Sequence, residues 1–162
     1  MDNLRWTKHV AEVTKKCNIR LHFLIHLKRA GLSNNDLVKY YMSVIRSILE
    51  YGCAVWHNGL TKDDNNDLES IQRRSLKIIF PDLTYQQALS RCGLVPLEER
   101  RVQICRKTFR CMSKSDNKLN YLLPERRENV YSLREASAYP RPIVRCKRSM
   151  GSLVTHGLLK YQ

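Results

Sequence analysis

Histidine, cysteine and carboxylate side chains are the groups in this chain that could hold a metal or perform catalysis. His22 and His26 stand four residues apart, a spacing compatible with metal binding on one side of a helix, but the sequence offers no third ligand. The six cysteines form no C-x-x-C pair and no tight cluster with histidine, which disfavours a zinc site and a disulfide framework. We therefore predict no metal site, no cofactor and reduced intracellular thiols.

Motifs for known catalytic sites are missing from the sequence. It contains no Gly-rich phosphate loop, no G-x-S-x-G and no H-E-x-x-H. The pair Asp63-Asp64 could be taken for a polymerase metal site, but it lies in a polar helix start and not at the tip of a strand hairpin. We predict no catalytic residue and expect no enzymatic activity from this chain alone.

Positive charge is concentrated in parts of the chain. The net charge is +14, and residues 1–31 carry seven Lys/Arg against two acids, 98–118 seven against three, and 119–162 eight against three. Residues 32–97 sum to zero. A neutral block flanked by basic segments favours a polyanionic partner, most simply nucleic acid.

The basic residues fall into three groups that we predict to contact nucleic-acid phosphates, although a solvated basic face is an equally good interpretation of the first group. No exposed aromatic residue is expected beside them, so we predict binding that does not read sequence. The candidates are Lys8, Lys15 and Lys16 on the first helix, Arg100, Arg106, Lys107 and Arg110 on a later helix, and Arg145, Lys147 and Arg148 in the tail.

Arg101 differs from its basic neighbours because it projects at the same angle as the apolar residues of its helix. A buried arginine needs an anionic partner, since an unpaired buried charge is costly. We predict a structural ion pair with Glu50 or Glu69.

Apolar periodicity predicts a mainly α protein, a small bundle of about five helices followed by a basic, partly irregular tail. We place the helical domain at 1–124 and the tail at 125–162, where Leu153, Val154, Leu158 and Leu159 are candidates for docking on the body. The helices with the clearest bounds are Thr7–Arg29, one in the stretch Leu37–Trp56 with a start signal at Ser33 and Asp36 and a plausible stop at Gly52, one that begins at Thr61 and ends before Pro81, a short one after Thr84, and Leu97–Met112.

The helix predicted over Leu37–Trp56 has an unusually broad apolar arc. At 100° per residue its central line contains Leu37, Tyr41, Val44, Ile48 and Tyr51. A surface helix needs an apolar stripe a little over ~100° wide, so this breadth predicts neighbours on two or three sides.

Seven short motifs occur in an order that resembles the C-terminal region of reverse transcriptases of non-LTR retrotransposons, of the Jockey or chicken-repeat type. The similarity runs from residue 2 to about residue 160. The motifs are L-x-W-x-x-H-V at Leu4–Val10, K-x-x-x-R-L-x-F-L at Lys16–Leu24, I-R-S-I-L-E-Y-G-C-A-V-W at Ile45–Trp56, L-E-S-I-Q-R-R at Leu68–Arg74, K-I-I-F-P at Lys77–Pro81, Y-Q-Q-A-L at Tyr85–Leu89 and L-E-E-R-R at Leu97–Arg101.

This resemblance implies a truncated RNA-directed DNA polymerase that retains the helical thumb and post-thumb region, while the catalytic palm and its A-D-D aspartates would lie upstream. The implied partners are RNA or an RNA–DNA duplex, bound without sequence preference, and the palm domain of a longer polymerase. Two alternatives stay open, a helical protein-interaction module and a non-functional translated remnant of a transposable element.

The opening segment also resembles the short N-terminal region of AlkB-type tRNA-modifying proteins. That similarity covers only the first helices, and no iron-binding H-x-D motif is present, so we give more weight to the polymerase resemblance. No apolar run approaches the ~18 residues of a membrane span, and the N-terminus lacks a secretory apolar region. We expect no membrane contact and an intracellular location, nuclear or cytoplasmic.

Overall fold

The described residues form helices joined by short turns, as the sequence predicted, and no β-strand occurs among them. A computed structural model describes residues 6–127, 138–144 and 147–161, without the side chains of Lys147 and Arg148. In chain order the α-helices are α1 (Thr7–Arg29), α2 (Asn34–Tyr40), α3 (Ser47–Glu50), α4 (Cys53–Trp56), α5 (Lys62–Ile79), α6 (Tyr85–Cys92), α7 (Leu97–Met112), α8 (Lys147–Met150) and α9 (Leu153–Lys160). A π-helical segment, Tyr41–Arg46, joins α2 to α3.

The chain divides into two compact units. The first contains the described residues of 1–53 and 60–101, and the second those of 54–59 and 102–161. The predicted domain boundary at residue 124 is a different division and stays a prediction. Within the region predicted as an irregular tail, the structure contains the helices α8 and α9.

In the first unit, α1 packs against α5 and the two helices run in the same direction. Three contacts establish the direction, because they join the beginnings, middles and ends of the helices in order. Thr7 Oγ1 donates to Asp64 at 3.5 Å, Arg74 Nη1 donates to Oδ1 of Asn18 at 2.8 Å, and Lys28 Nζ donates to the carbonyl oxygen of Ile79 at 3.1 Å.

The predicted bounds of α1 and its apolar stripe are confirmed. Burial follows spacings of three and four residues, which keeps one side of the helix against the core. The buried side chains of α1 are Val10, Val13, Cys17, Leu21 and Leu24. Burial also raises the pKa of the Cys17 thiol to about 11, so this cysteine is inert at neutral pH.

The two helices predicted to begin at Thr61 and after Thr84 both start with a capping box. The Thr61 side chain accepts from the amide of Asp64, whose carboxylate accepts from the Thr61 amide. Thr84 and Gln87 make the same reciprocal pair at the start of α6. Gly93 ends α6 with φ +61°, a left-handed conformation that glycine adopts without steric cost.

The helix predicted in the stretch Leu37–Trp56 has its cap at Ser33 and is interrupted by a turn at Tyr51 and Gly52, at the predicted stop. The prediction is wrong in its middle, which is the π-helical segment. A π-helix has wider turns, because its hydrogen bonds join residues five apart, and the buried face therefore advances in steps of four residues. The buried positions are Leu37, Tyr41, Ile45, Leu49 and Cys53.

The predicted line is correct only up to Tyr41. Val44, within the π-helical segment, and Ile48, beyond it, are only partly buried, and Tyr51 is 82% exposed. Only part of the broad apolar arc predicted for Leu37–Trp56 packs against other helices. Some of its apolar residues are exposed to solvent.

The Glu69 carboxylate connects three helices of the first unit. It accepts a hydrogen bond from the Tyr85 hydroxyl on α6, and it accepts the backbone amides of Leu97 (2.9 Å) and Glu98 (3.3 Å) at the start of α7. Gln72, one turn further along α5, donates to the Tyr85 hydroxyl at 2.8 Å and accepts from the Tyr41 hydroxyl at 2.5 Å. This network joins α5, α6, α7 and the π-helical segment.

We predict that Glu69→Gln destabilises the protein by roughly 1–3 kcal/mol, because an amide nitrogen then faces donors that need an acceptor. Asp67→Asn makes the same chemical change on the exposed side of α5 and should alter stability by less than about 0.5 kcal/mol. Urea unfolding of both variants measures the difference. Equal midpoints would show that the network contributes little.

The second unit has its own apolar core. Phe109 on α7 and Leu158 on α9 are buried there, and Leu153 and Val154 pack against the cluster, so most of the predicted docking residues are in place. Leu159 is an exception, with 39% of its surface exposed. The remaining buried members of the cluster are Met112, Leu123 and Tyr139.

Gly157 allows α9 to approach α7 closely within this core. A Cβ atom added at Gly157 would overlap the ring of Phe109. We predict that Gly157→Ala lowers stability by about 1 kcal/mol or more, because overpacking costs of ~1–3 kcal/mol exceed the ~1 kcal/mol that alanine gains in helix propensity. Lys160→Ala on the exposed side of α9 is the control. A Gly157→Ala variant that melts at a higher temperature would contradict this packing.

Candidate polyanion-binding surfaces

Lys8, Lys15 and Lys16 are exposed along α1, as predicted for a phosphate-binding row. Glu12 is exposed among them and reduces their local charge. No described carboxylate lies within ion-pair distance of the three lysines. They lie in the N-terminal part of α1, and we call them the α1 lysine row.

His22 and His26 lie further along α1. Their Nε2 atoms are 3.2 Å apart, so one imidazole donates to the other. Among residues 6–127, 138–144 and 147–161, no group of three His, Cys, Asp or Glu side chains is arranged to hold a metal ion. The pair therefore has a hydrogen-bonding geometry without a third protein ligand in the described part of the chain.

Phe23 is 49% exposed and Ile19 is 56% exposed on the same helix, which contradicts the expectation that the basic surfaces lack an exposed aromatic ring. The Phe23 ring packs edge-on against His22, with centroids 6.3 Å apart. The sequence did contain the signal, because both residues lie outside the buried stripe of α1.

Arg106, Lys107 and Arg110 are exposed on the C-terminal part of α7, again as predicted, and we call them the α7 cation row. No described carboxylate lies within ion-pair distance of them. The Arg106 guanidinium lies 5.5 Å from the ring centroid of Tyr161, a cation–π contact that orients it. Burial raises the pKa of Tyr161, and the Arg106 charge opposes that rise.

Arg100 does not belong to a free row. Its Nε atom lies 3.3 Å from the Glu50 carboxylate, which also pairs with Arg46 at 3.1 Å. Glu50 is largely buried, and it therefore neutralises much of the charge at Arg100. Arg100 thus carries less uncompensated charge than Arg106, Lys107 and Arg110, and its predicted phosphate contact stays a prediction.

Arg101 is fully buried, with 0% of its surface exposed, as its helical angle predicted. Its Nη2 atom donates to Oδ1 of Asn65 at 2.7 Å. The predicted partners are engaged elsewhere, Glu50 with Arg46 and Arg100, and Glu69 with Tyr85 and the start of α7. The helical angle correctly predicted that Arg101 points into the core. It could not predict which basic residue each acidic residue contacts, because that depends on how the helices pack.

Most of the side chains predicted as phosphate contacts in the tail lie outside the part of the chain that the structure describes. Arg145 is not among the described residues, and Lys147 and Arg148 begin α8 with side chains that are not described. Their predicted role as a third phosphate contact stays a prediction.

The basic residues of α5 make local contacts instead. Arg73 lies over the Tyr85 ring at 5.3 Å, Arg74 donates to Asn18, and Lys77 donates to the Pro81 carbonyl oxygen at 2.6 Å. The last two contacts tie α5 to α1 and to the turn that follows α5, so these cations stabilise the packing of the first unit.

Residues 6–47 match the model of a family described as "Alkylated DNA repair protein alkB homolog 8, N-terminal". The match covers α1, α2 and the π-helical segment, about a quarter of the chain. No curated protein and no solved structure matches the chain.

The expectation of a retrotransposon reverse transcriptase is wrong, because the matching family is the AlkB-homologue N-terminal region and no reverse-transcriptase family matches. Several of the seven motifs contain buried positions of the helices, such as Leu68 and Ile71 in L-E-S-I-Q-R-R. The AlkB-type similarity, to which the sequence argument gave less weight, is the one that the comparison finds. In the described part of the chain, no helix is both long and apolar enough to cross a membrane.

We predict that Arg101→Ala costs roughly 2–5 kcal/mol of stability, because it removes a fully buried side chain and the donor for Asn65. Arg106→Ala removes an exposed arginine from the same helix and should cost less than about 1 kcal/mol. Thermal unfolding followed by circular dichroism compares the two. Equal melting temperatures would refute the structural role of Arg101.

Proposed function

We propose that this protein binds nucleic acid, RNA or an RNA–DNA duplex, through backbone phosphates and without sequence preference. The observation that carries the proposal is the α7 cation row, where Arg106, Lys107 and Arg110 are exposed and no described carboxylate is near enough to neutralise them. Exposed, uncompensated cations at helical spacing are suited to a phosphate chain, which releases counterions on binding.

The α1 lysine row supports the same proposal as a separate surface. Lys8 and Lys15 lie within ~20° of each other around the helix axis and about 10 Å apart along it, so both can face the same phosphate chain. Glu12 between them makes this surface the weaker of the two.

The matched family is described as part of an alkylated-DNA repair protein, whose name implies action on a nucleic acid. That description supports a polyanionic partner here. We also propose an intracellular location, because Cys17, Cys53, Cys92, Cys105 and Cys111 are all free thiols.

A salt series tests the proposal. Fluorescence anisotropy on a labelled RNA–DNA hybrid should give an affinity that falls with salt, and three phosphates neutralised by the α7 cation row contribute roughly −2 to −3 to the log–log slope. Arg106→Gln with Arg110→Gln should flatten the slope by about one to two and weaken a scrambled hybrid equally.

Arg100→Gln is the matched control, since it removes one arginine from the same helix whose charge Glu50 already offsets. It should change the slope by clearly less than Arg106→Gln does. A flat salt dependence, a strong preference for one hybrid, or equal effects of the two single variants would each contradict phosphate binding by the α7 cation row.

A further inference from the structure

An apolar groove lies in the first unit between the C-terminal half of α1 and the segment that begins at the end of α2. Its volume is about 540 Å³. Phe23, Leu27 and Ala30 form the α1 side, and Tyr40 and Val44 form the other. The Tyr40 hydroxyl donates to the carbonyl oxygen of Arg20 at 3.4 Å and holds the two sides together.

The π-helical segment produces this groove. A regular helix would have turned Val44 into the core with Leu37 and Tyr41, whereas the wider turns bury Ile45 and leave Val44 only partly covered. Phe23 contributes a ring that is about half exposed. The apolar lining of the groove therefore depends on the backbone conformation of the π-helical segment, which leaves Val44 partly exposed.

The shape of the groove fits one helix. From Arg20 to Ala30 the α1 side spans ten residues, about 15 Å, which matches roughly three turns of a helix laid along it. An occupant would place apolar residues at positions i, i+3 or i+4 and i+7 into the groove.

The basic residues around the groove favour an acidic occupant. Arg20 and His26 line the groove, Arg29 is exposed on the same helix, and no acidic side chain lines it. A second copy of this chain is a poor fit, because a symmetric contact would oppose the same basic residues in a molecule of net charge +14. An acidic partner complements both the rim and the overall charge.

We propose that this groove docks an amphipathic α-helix of another protein, with apolar residues facing the groove and Glu or Asp on its flanks. The groove begins at Arg20, about 6 Å along the helix axis beyond Lys16, the last residue of the α1 lysine row, whereas Lys8 lies about 22 Å from Phe23.

The test is a display library of helical peptides about 14 residues long, roughly 21 Å, selected on the full chain. Apolar anchor positions vary among Leu, Phe and Ala, and flank positions vary among Glu, Gln and Lys. We expect enrichment of Glu flanks with Leu or Phe anchors. Enrichment of Lys or Gln flanks, or no enrichment of helical peptides at all, would overturn the proposal.

Variants locate the binding surface. Phe23→Ser with Val44→Ser should weaken the selected peptide by at least about tenfold, as expected for loss of apolar anchors. Ile19→Ser, on the same helix and outside the groove, should leave the affinity unchanged. Circular dichroism melting confirms that all variants are folded, and equal binding to both variants would place the peptide elsewhere.

Charge reversal and competition complete the test. Arg20→Glu should reduce binding of the Glu-flanked peptide and restore binding of a peptide of the same anchors with Lys flanks. The affinity of the Phe23→Ser, Val44→Ser variant for single-stranded polyuridylate is measured as well. If it falls as much as the affinity for the peptide, the groove binds nucleic acid and the proposal is overturned.

Discussion

The Glu69 carboxylate is the interaction on which the first unit depends, because it satisfies groups from three helices at once. It accepts the amides of Leu97 and Glu98, which have no partner within α7, and a carboxylate at that position also complements the helix dipole. Through Tyr85 and Gln72 the same network reaches Tyr41 in the π-helical segment. A partly buried charge is tolerated here because every strong contact of that charge is a hydrogen-bond donor.

The π-helical segment shows where sequence periodicity stops being informative. Leu37 and Tyr41, up to the first residue of the segment, were predicted to be buried and are buried. From Tyr41 onward the buried positions are four residues apart, so Ile45, Leu49 and Cys53 are buried in place of Val44, Ile48 and Tyr51. Both sets are apolar, and the sequence therefore satisfies either register. Packing against α1, including the contact of the Cys17 thiol with the Ile45 carbonyl oxygen at 3.9 Å, selects between them.

The candidate sites were predictable where a single helix determines them. Capping boxes at Thr61 and Thr84, the stripe of α1 and the bounds of α7 follow from local spacing, and so does the exposure of Arg106 and Arg110. Pairing between elements was not predictable. Arg100 and Arg101 are adjacent and Glu50 is distant in sequence, so only tertiary packing decides that Glu50 meets Arg100.

The location of the unpaired cations distinguishes structure from function in this chain. Cations that serve packing have partners, as Arg74 has in Asn18 and Arg101 has in Asn65. Lys107 and Arg110 have no described carboxylate within ion-pair distance, and like charges left close together destabilise the folded chain. Binding of a polyanion, as proposed, would remove that energetic cost. An apolar groove exposed on another part of the surface carries a comparable cost in water, and an acidic amphipathic helix would remove it by covering Phe23 and Val44 while its carboxylates face Arg20.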